Sequence, residues 1–426
     1  MADSIATLEH RLDDFSAEAR RAALGELADR QKRGDARAPS EERPWVNLHC
    51  HTFFSYNAQG WSPSRIAWQA RQTGLAALGI VDFDVLDGVD EIHAAGRLLA
   101  LRSVAGMETR AFMEELAAAV INSPGEPGIT YHMGTGFLRS RVRDAEQQRF
   151  LDALKASAQK RNLELIAKVN AHLRPVEVDD ARDVLPLTPR GNATERHICA
   201  AYDRLARARF PAERELAAFW SDKLGCEAAR TAQLLADPAK LQGEIRAKTM
   251  KKGGVGYTQP NSGSFPRLAD VNRFVRGEGA IPTLTWLDGT SEGEADPEKL
   301  VDLHLRAGAV AANIIPDRNW NLRDAAEKQR KLAKLYEFVE VANRHQLPLS
   351  VGTEMNAPGL KFVDDFDAPE LAPVRASFLR GAFILAGHTR LAFQEDRGYL
   401  SPWSLEKFKS ARERNDYYEE AGRSPC

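Results

Sequence analysis

The stretch Trp45-Val46-Asn47-Leu48-His49-Cys50-His51-Thr52 carries a short apolar run into two histidines that one residue separates. Side chains two residues apart on an extended strand point to the same side. His49 and His51 can therefore face one site at a strand end, as two nitrogen ligands of a metal must. Cys50 should face the other side of the strand and pack there. A lone His-x-His is weak evidence, so its meaning depends on the rest of the chain.

Length and composition narrow the class of protein. The chain has 426 residues, 43% of them hydrophobic, with 58 basic and 60 acidic side chains. That length suits one large α/β domain with an insertion, or about two to three ordinary domains. The balanced charge gives no sign of nucleic-acid or anionic-membrane binding, and a locally basic groove stays open. Four scattered cysteines and the lack of a signal peptide or membrane-length apolar run predict a soluble cytoplasmic protein.

Polar side chains recur directly after predicted strands, which alternate with helical stretches as parallel sheets and barrels require. In chain order these groups are His49 with His51, Asp82 with Asp84, Glu108, and His132. The C-terminal strand ends build the site of α/β barrels, so we expect these side chains to converge. Each could instead be an ordinary turn or capping residue, but four in succession are harder to dismiss.

The rest of the pattern predicts how the chain is organised. Residues 3–33 are predicted to form one amphipathic helix, and 117–122 and 129–132 a pair of strands. Strand-like runs vanish from about 141 to 250, and further strands are expected at 281–286, 309–315 and 347–352. The predicted domains are 1–43 as an N-terminal helical arm and linker, 44–140 as the first part of a barrel, 141–255 as a helical insertion, and 256–426 as the second part with C-terminal helices.

The ordered motifs resemble those of the PHP (polymerase and histidinol phosphatase) family of metal-dependent phosphoesterases. The matching segments are His49-Cys50-His51, Leu78 to Asp84, Gly106-Met107-Glu108 and His132-Met133-Gly134. Arg196-His197-Ile198 resembles an inserted segment of the branch that hydrolyses nucleoside 3′,5′-bisphosphates or the 5′ ends of short RNA. The resemblance, over roughly residues 44–360, implies a distorted (β/α)7 barrel with an all-helical insertion. It also implies that Arg196 contacts phosphate, unless it is a surface arginine of the insertion.

Several metal ligands of the family pattern are replaced in this chain. Phe83 and Trp286 stand where the family has histidines and cannot ligate a metal, and Asn356 stands where it has another. The resemblance leaves one first shell of His49, His51, Glu108 and Glu354, with Asp82 and His132 as partial ligands of a weaker second site. Mixed nitrogen and oxygen ligation allows Zn, Mn or Fe. Further candidates are Asp84, Asp288 and His388 as substitute ligands, Asn356 as a weak carbonyl ligand, and Arg390 as a neutraliser of substrate charge.

The sequence favours a metal-dependent hydrolase, and foremost a phosphoesterase acting on a small phosphorylated substrate such as a nucleotide or sugar phosphate. A bound metal would activate a water, Asp82 or His132 would take or relay a proton, and Arg196 would neutralise substrate charge. The expected partner is a small anionic molecule, not a membrane, with nucleic acid only as a short oligonucleotide. The sequence decides neither the substrate nor the oligomeric state.

Other functions stay open at this stage because of the lost ligands. One is a single-metal PHP-like enzyme of C–N or C–O hydrolysis, or of proton transfer beside a carbonyl. Another is a non-catalytic PHP-like protein. Amidohydrolase barrels also begin with His-x-His, but this chain does not supply in order the bridging lysine and two later histidines that they need.

Overall fold

The structure is a computed structural model that describes residues 3–424, so Cys426 lies outside the described residues. Its contacts divide the chain into two compact units. Within the described residues, the barrel unit comprises 3–52, 57–151 and 265–424, and the helical unit comprises 53–56 and 152–264. The domain boundaries that the sequence predicts stay a prediction.

The barrel unit is built on a mixed sheet whose spatial order follows the chain order. Its strands are β1 (Arg43–Asn47), β2 (Leu75–Phe83), β3 (Ser103–Phe112), β4 (Ile129–Thr135), β5 (Ile281–Trp286), β6 (Ala311–Ile314) and β7 (Leu349–Val351). β4 runs antiparallel to both of its neighbours, and the other neighbouring strands run parallel. The Leu48 N–H donates to the Val351 carbonyl at 2.7 Å, which joins β7 to the segment after β1. The sheet is a nearly closed seven-stranded barrel, which confirms the predicted α/β barrel class.

The segment before β4 is a loop, which corrects one expectation from the sequence. Residues 117–122 were predicted to pair with 129–132, but they form no strand. The side chain of Asn122 instead receives the Tyr131 N–H at 2.7 Å and donates to the Thr285 carbonyl at 2.8 Å. An asparagine in the loop thus satisfies backbone groups of β4 and β5. β4 itself pairs with β3 and β5.

Helices occupy most of the remaining chain. In the order of the chain they are α1 (Ile5–Arg11), α2 (Ala17–Arg33), α3 (Pro63–Thr73), α4 (Val89–Leu99), α5 (Ala145–Leu173), α6 (Glu195–Arg209), α7 (Glu213–Leu224), α8 (Ala228–Leu235), α9 (Pro238–Thr249), α10 (Leu268–Gly277), α11 (Pro297–Arg306), α12 (Asp317–Trp320), α13 (Ala325–Arg344), α14 (Arg375–Glu395), α15 (Pro402–Lys407) and α16 (Ala411–Arg423). Short 3₁₀ turns lie at Glu114–Leu116 and Leu185–Leu187, and a π-helical turn at Asp180–Val184. None of the helices described over 3–424 is long and apolar enough to cross a membrane.

The N-terminal arm is two helices, not the single helix predicted over 3–33. Ser16 begins α2 by accepting the Ala19 N–H on its hydroxyl, and this N-cap interrupts the apolar periodicity. The arm packs on α3 and α4 through specific polar contacts. The Arg20 guanidinium binds the Glu91 carboxylate at 2.5 Å, and the Trp68 indole N–H donates to Glu9 at 2.9 Å. These contacts support a packing role for the arm.

The helical unit has its own hydrophobic core, in which Val169, Tyr202, Trp220 and Leu241 are fully buried. The Tyr202 hydroxyl donates to the Asn170 side chain at 2.7 Å, so the buried phenol is satisfied. No strand occurs between residues 152 and 264 of the described chain. The predicted all-helical character of the insertion is therefore confirmed.

Candidate metal centre

The segment that directly follows β7 holds the backbone of the two histidines. The Glu354 N–H donates to the His49 carbonyl and the His51 N–H donates to the Glu354 carbonyl, both at 2.8 Å. A Cβ on Gly352 would lie 2.4 Å from the His49 nitrogen, so only glycine permits this approach. Glu354 and Met355 both adopt left-handed φ values, +61° and +53°, which are uncommon for residues with side chains. The backbone here is constrained around the histidine pair, as is typical of functional sites.

Three buried side chains bring ligand atoms together at this point. His49 Nε2 lies 3.3 Å from His51 Nε2, and Glu108 Oε2 lies 3.8 Å and 3.4 Å from the same two nitrogens. Among the residues described, this is the group of three or more His, Cys, Asp or Glu ligands whose atoms all lie within 4.8 Å. Donors about 2.0–2.2 Å from one tetrahedral metal are separated by about 3.4 Å. The three atoms therefore fit the coordination of one metal ion.

A neighbouring amide orients one of these rings. His49 Nδ1 lies 3.2 Å from Asn313 Oδ1, an acceptor that favours a proton on Nδ1 and leaves the Nε2 lone pair toward the cluster. Burial lowers the pKa of His49, against the charge of Glu108, and burial lowers the pKa of His51, against Asp82. Both imidazoles are thereby kept in the neutral form that binds metals.

Glu108 supplies the charge of the cluster. It lies in the middle of β3, opposite Phe83 at the end of β2, and is 2% exposed. Burial raises its pKa to about 7, with the charge of Glu354 adding to the rise and His49 opposing it. A buried carboxylate is costly unless a cation compensates it. A metal between Glu108 and the histidines would provide that compensation.

The end of β2 and the residue that follows it support the cluster from one side. Asp82 accepts the backbone N–H and the hydroxyl of Thr52 at 2.8 Å and 2.7 Å, which fixes the residue after His51. Phe83 stacks on the His51 ring with centroids 4.6 Å apart. Asp84 has φ +58° and accepts the Thr109 hydroxyl at 2.6 Å. Phe83 therefore packs against a histidine of the cluster and offers no ligand atom.

Glu354 lies beside the cluster but its carboxylate has another partner. Arg318 Nη2 donates to Glu354 Oε2 at 2.7 Å. Burial would raise the pKa of Glu354, but Arg318 and then His49 outweigh it, so the pKa is lowered and the group is ionised. The predicted role of Glu354 as a fourth metal ligand stays a prediction, because one of its oxygens is bound to Arg318.

His132 is not brought to the cluster, contrary to its predicted roles as metal ligand and proton relay. In the register of β3 and β4, Glu108 lies opposite Met133, and Thr109 lies opposite His132. Residues directly opposite share a face, and neighbours along a strand alternate, so His132 faces away from Glu108. Its Nε2 bonds to Asn272 on α10 at 2.5 Å, and its ring stacks on His304 of α11. The register of β4 against β3 accounts for this placement.

Trp286 at the end of β5 and Asp288 two residues later also have partners outside the cluster. Trp286 stacks on Phe338 of α13, with centroids 4.6 Å apart and planes at 9°. Asp288 binds Lys331 at 3.0 Å and the Thr290 hydroxyl at 2.6 Å. These contacts give Asp288 a structural role in the loop, so the structure offers no support for its substitution of a lost ligand.

The remaining candidates lie in other surroundings. His388 bonds through Nε2 to the Gly136 carbonyl and through Nδ1 to the Tyr399 N–H, both at 2.9 Å, so both ring nitrogens are used. Arg390 donates to the Ala421 carbonyl of α16 at 3.2 Å. Asn356 is half-buried in the loop after β7. Arg196 lies in the first turn of α6 in the helical unit, and its predicted contact with phosphate stays a prediction.

The structure adds three residues that the sequence reasoning missed. Asn313 on β6 orients His49, Arg318 on α12 binds Glu354, and Tyr131 on β4 lies on the face of Glu108, with its ring 6.2 Å from that of Phe83. A signal for Asn313 was present, because it is a polar residue inside an apolar strand run. Arg318 comes just after the predicted strand 309–315, where barrel sites are built.

Comparisons with known proteins concern the fold. The sequence matches no protein-family model and no curated protein. Among solved structures, it is similar to an amidohydrolase from Chromobacterium violaceum that was solved with bound sulfate and without metal, at a TM-score of 0.50 and 16% identity, covering 79% of this chain and 96% of that one. It is also similar to a "putative metal-dependent phosphoesterase" from Bifidobacterium adolescentis, at a TM-score of 0.47 and 17% identity, covering 80% and 97%. At this identity the first similarity supports the barrel fold alone.

Proposed function

We propose that this protein is a metal-dependent hydrolase that acts on a small phosphate ester, such as a nucleotide or a sugar phosphate. The observation that carries the proposal is the convergence of His49 Nε2, His51 Nε2 and Glu108 Oε2 within 3.8 Å of one another in a fully buried group. The resemblance of the sequence motifs to those of the PHP family supports the same three residues as metal ligands.

The three side chains would hold one divalent ion such as Zn²⁺, Mn²⁺ or Fe²⁺, with Glu354 as the candidate fourth donor. Such an ion would lower the pKa of a water and polarise a substrate oxygen. The chain's own contribution is to fix the ligands before substrate arrives. Asn313 orients His49, Asp82 anchors Thr52 beside His51, and the Phe83 ring covers His51 from solvent.

The replaced ligands favour a second candidate, a single-metal enzyme that hydrolyses a C–N or C–O bond. Phe83 packs on His51 and Trp286 packs on α13, so neither position can serve a further metal. Phosphoryl transfer often uses two metals to clamp the attacking and leaving oxygens. A one-metal centre would thus suit an ester or amide as well as a phosphate.

A substrate screen on metal-loaded protein tests these candidates. Phosphate release would be measured over nucleotides, sugar phosphates and short RNA, with carboxylic esters and amides in parallel. We expect phosphate release in the wild type and its loss in His49→Ala and Glu108→Ala. The His388→Asn variant is the matched control, because His388 is a buried histidine whose nitrogens bind backbone groups. Activity that survives both site substitutions would refute the site, and turnover of esters or amides alone would favour the second candidate.

A further inference from the structure

Beside the metal cluster, one arginine combines a fixed position with an exposed charge. Arg318 lies on α12, directly after β6, and its side chain is 46% exposed, whereas the Glu354 carboxylate that it binds is 9% exposed. A guanidinium has five N–H donors in a planar fork. Among the described residues, the Arg318 side chain makes one hydrogen bond, from Nη2 to Glu354 Oε2 at 2.7 Å, so its other N–H groups are left for a ligand.

The two residues that follow Arg318 in the chain are anchored by hydrogen bonds. The next residue, Asn319, donates to the Leu287 carbonyl at 2.9 Å and to the Ile315 carbonyl at 3.2 Å. Trp320 donates its indole N–H to Asp364 at 3.2 Å. Because these neighbours are buried and bonded, Arg318 is held in place before any ligand binds. Preorganised donors bind with a smaller entropic cost.

Electrostatics place this charge within reach of the cluster. Glu354 raises the pKa of Arg318, and Tyr131 and Glu108 act on it in the same direction. In return, Arg318 opposes the rise in the pKa of Glu108. Arg318 is permanently charged, and with a divalent ion bound it would place a second positive charge beside the cluster, which favours an anionic ligand there.

We infer that Arg318 is the residue that recognises the negative charge of the substrate, by donating its exposed N–H groups to a tetrahedral oxyanion beside the metal cluster. Glu354 is then its positioning residue, since its carboxylate directs the guanidinium. The planar fork matches two oxygens of a phosphate group, which a lysine cannot do. This inference rests on the proposed function, and it specifies the substrate as one whose reacting group or its neighbour is a phosphate.

The binding of inorganic phosphate to the full chain tests this role without any turnover. Titration calorimetry would compare wild type, Arg318→Ala, Arg318→Lys and the matched control Arg323→Ala, each with and without Mn²⁺. Arg323 is an exposed arginine five residues further along the chain. We expect the Kd for phosphate to rise at least about tenfold in Arg318→Ala, less in Arg318→Lys, and to stay within about twofold in Arg323→Ala. All variants should retain metal and stay folded at the titration temperature, and Arg318→Ala should unfold at a lower temperature because the Glu354 carboxylate loses its partner.

Two results would overturn the inference. One is a phosphate Kd in Arg318→Ala within about twofold of the wild type in a folded, metal-loaded protein. The other is a wild type that binds no phosphate at millimolar concentration. Failure of the proposed function reads differently, because it would appear as a lack of metal binding or of phosphate release, neither of which this titration measures. KM and kcat on any ester found in the screen provide a second readout, and the loss should fall mainly on KM.

Discussion

Two pairs of buried histidines lie in the barrel unit, and they differ in what their nitrogens face. His49 and His51 turn Nε2 atoms toward each other at 3.3 Å and toward the carboxylate of Glu108. His132 and His304 lie with parallel rings at a centroid distance of 5.6 Å, and one amide, from Asn272, bonds to the pair. Both pairs are fully buried, so burial does not distinguish them. Convergence of lone pairs on a carboxylate does.

The difference follows from strand direction. His49 and His51 follow a strand whose neighbours are parallel, so they leave it at the end where Glu108 of β3 also lies. β4 enters from the opposite direction, and its register places His132 on the helix-facing side. A buried histidine that follows β1 is thus a ligand candidate, whereas a buried histidine in the middle of β4 is a packing residue. The expected outcomes below test whether this distinction is functional.

The largest expected effect separates the two pairs directly. His49→Ala should weaken metal affinity by more than about 100-fold, because it removes the Nε2 atom that would bind the metal. His132→Leu should leave metal affinity within about twofold and lower the free energy of unfolding by about 1–3 kcal/mol, since Asn272 loses its partner. Competition titration against a metal indicator and chemical denaturation measure these quantities. Equal loss of metal from both variants would contradict the assignment.

A smaller effect is expected from the residue that orients His49. Asn313→Ala should weaken metal affinity about 10- to 100-fold, because it removes the acceptor at Nδ1 but no ligand. The Ser350→Ala variant is a suitable control, since Ser350 is the fully buried partner of Asn313 across β6 and β7. The same titration serves for both. Unchanged affinity in Asn313→Ala would show that the amide does not support the site.

Metal affinity should also depend on pH through Glu108. The pKa of this carboxyl is raised to about 7, so below that pH the metal must displace a proton. The pKa values of His49 and His51 are lowered, so the imidazoles stay neutral over this range. Affinity should therefore fall about tenfold per pH unit below about 7 and level off above it. A titration at pH 6, 7 and 8 checks the sign, and an affinity that rises toward pH 6 would contradict it.

The smallest effect concerns the second pair. Both ring nitrogens of His304 are buried with no hydrogen-bonding partner in the described structure, an arrangement that costs free energy. His304→Leu should therefore raise the free energy of unfolding by about 1 kcal/mol and leave metal content unchanged. Urea denaturation measures the change. A loss of more than about 2 kcal/mol would show that the stacked ring contributes more than its unpaired nitrogens cost.

Much of the barrel could be predicted from sequence because its signals are local. The strand at 281–286 has the bounds that its apolar run indicated. His49, His51 and Glu108 also converge as expected, because a period of two and shared strand ends determine their direction. For these residues the chain neighbourhood contains enough information.

The rest depends on contacts between distant parts of the chain. The direction of β4 is set by its pairing with both β3 and β5, and the sequence of β4 is compatible with either direction. The Arg318–Glu354 ion pair joins residues that are 36 positions apart, and the His49–Asn313 contact joins residues that are 264 apart. No spacing rule connects such pairs. These residues come together only in the folded barrel.

Metal stoichiometry tests the central claim most directly. Elemental analysis would be made on wild type, Glu108→Ala and His132→Leu after loading with Zn²⁺, Mn²⁺ or Fe²⁺ and removal of free ion. The account predicts one tightly bound equivalent in wild type and His132→Leu, and none in Glu108→Ala. A wild type without metal, or a full equivalent retained in Glu108→Ala, would contradict it.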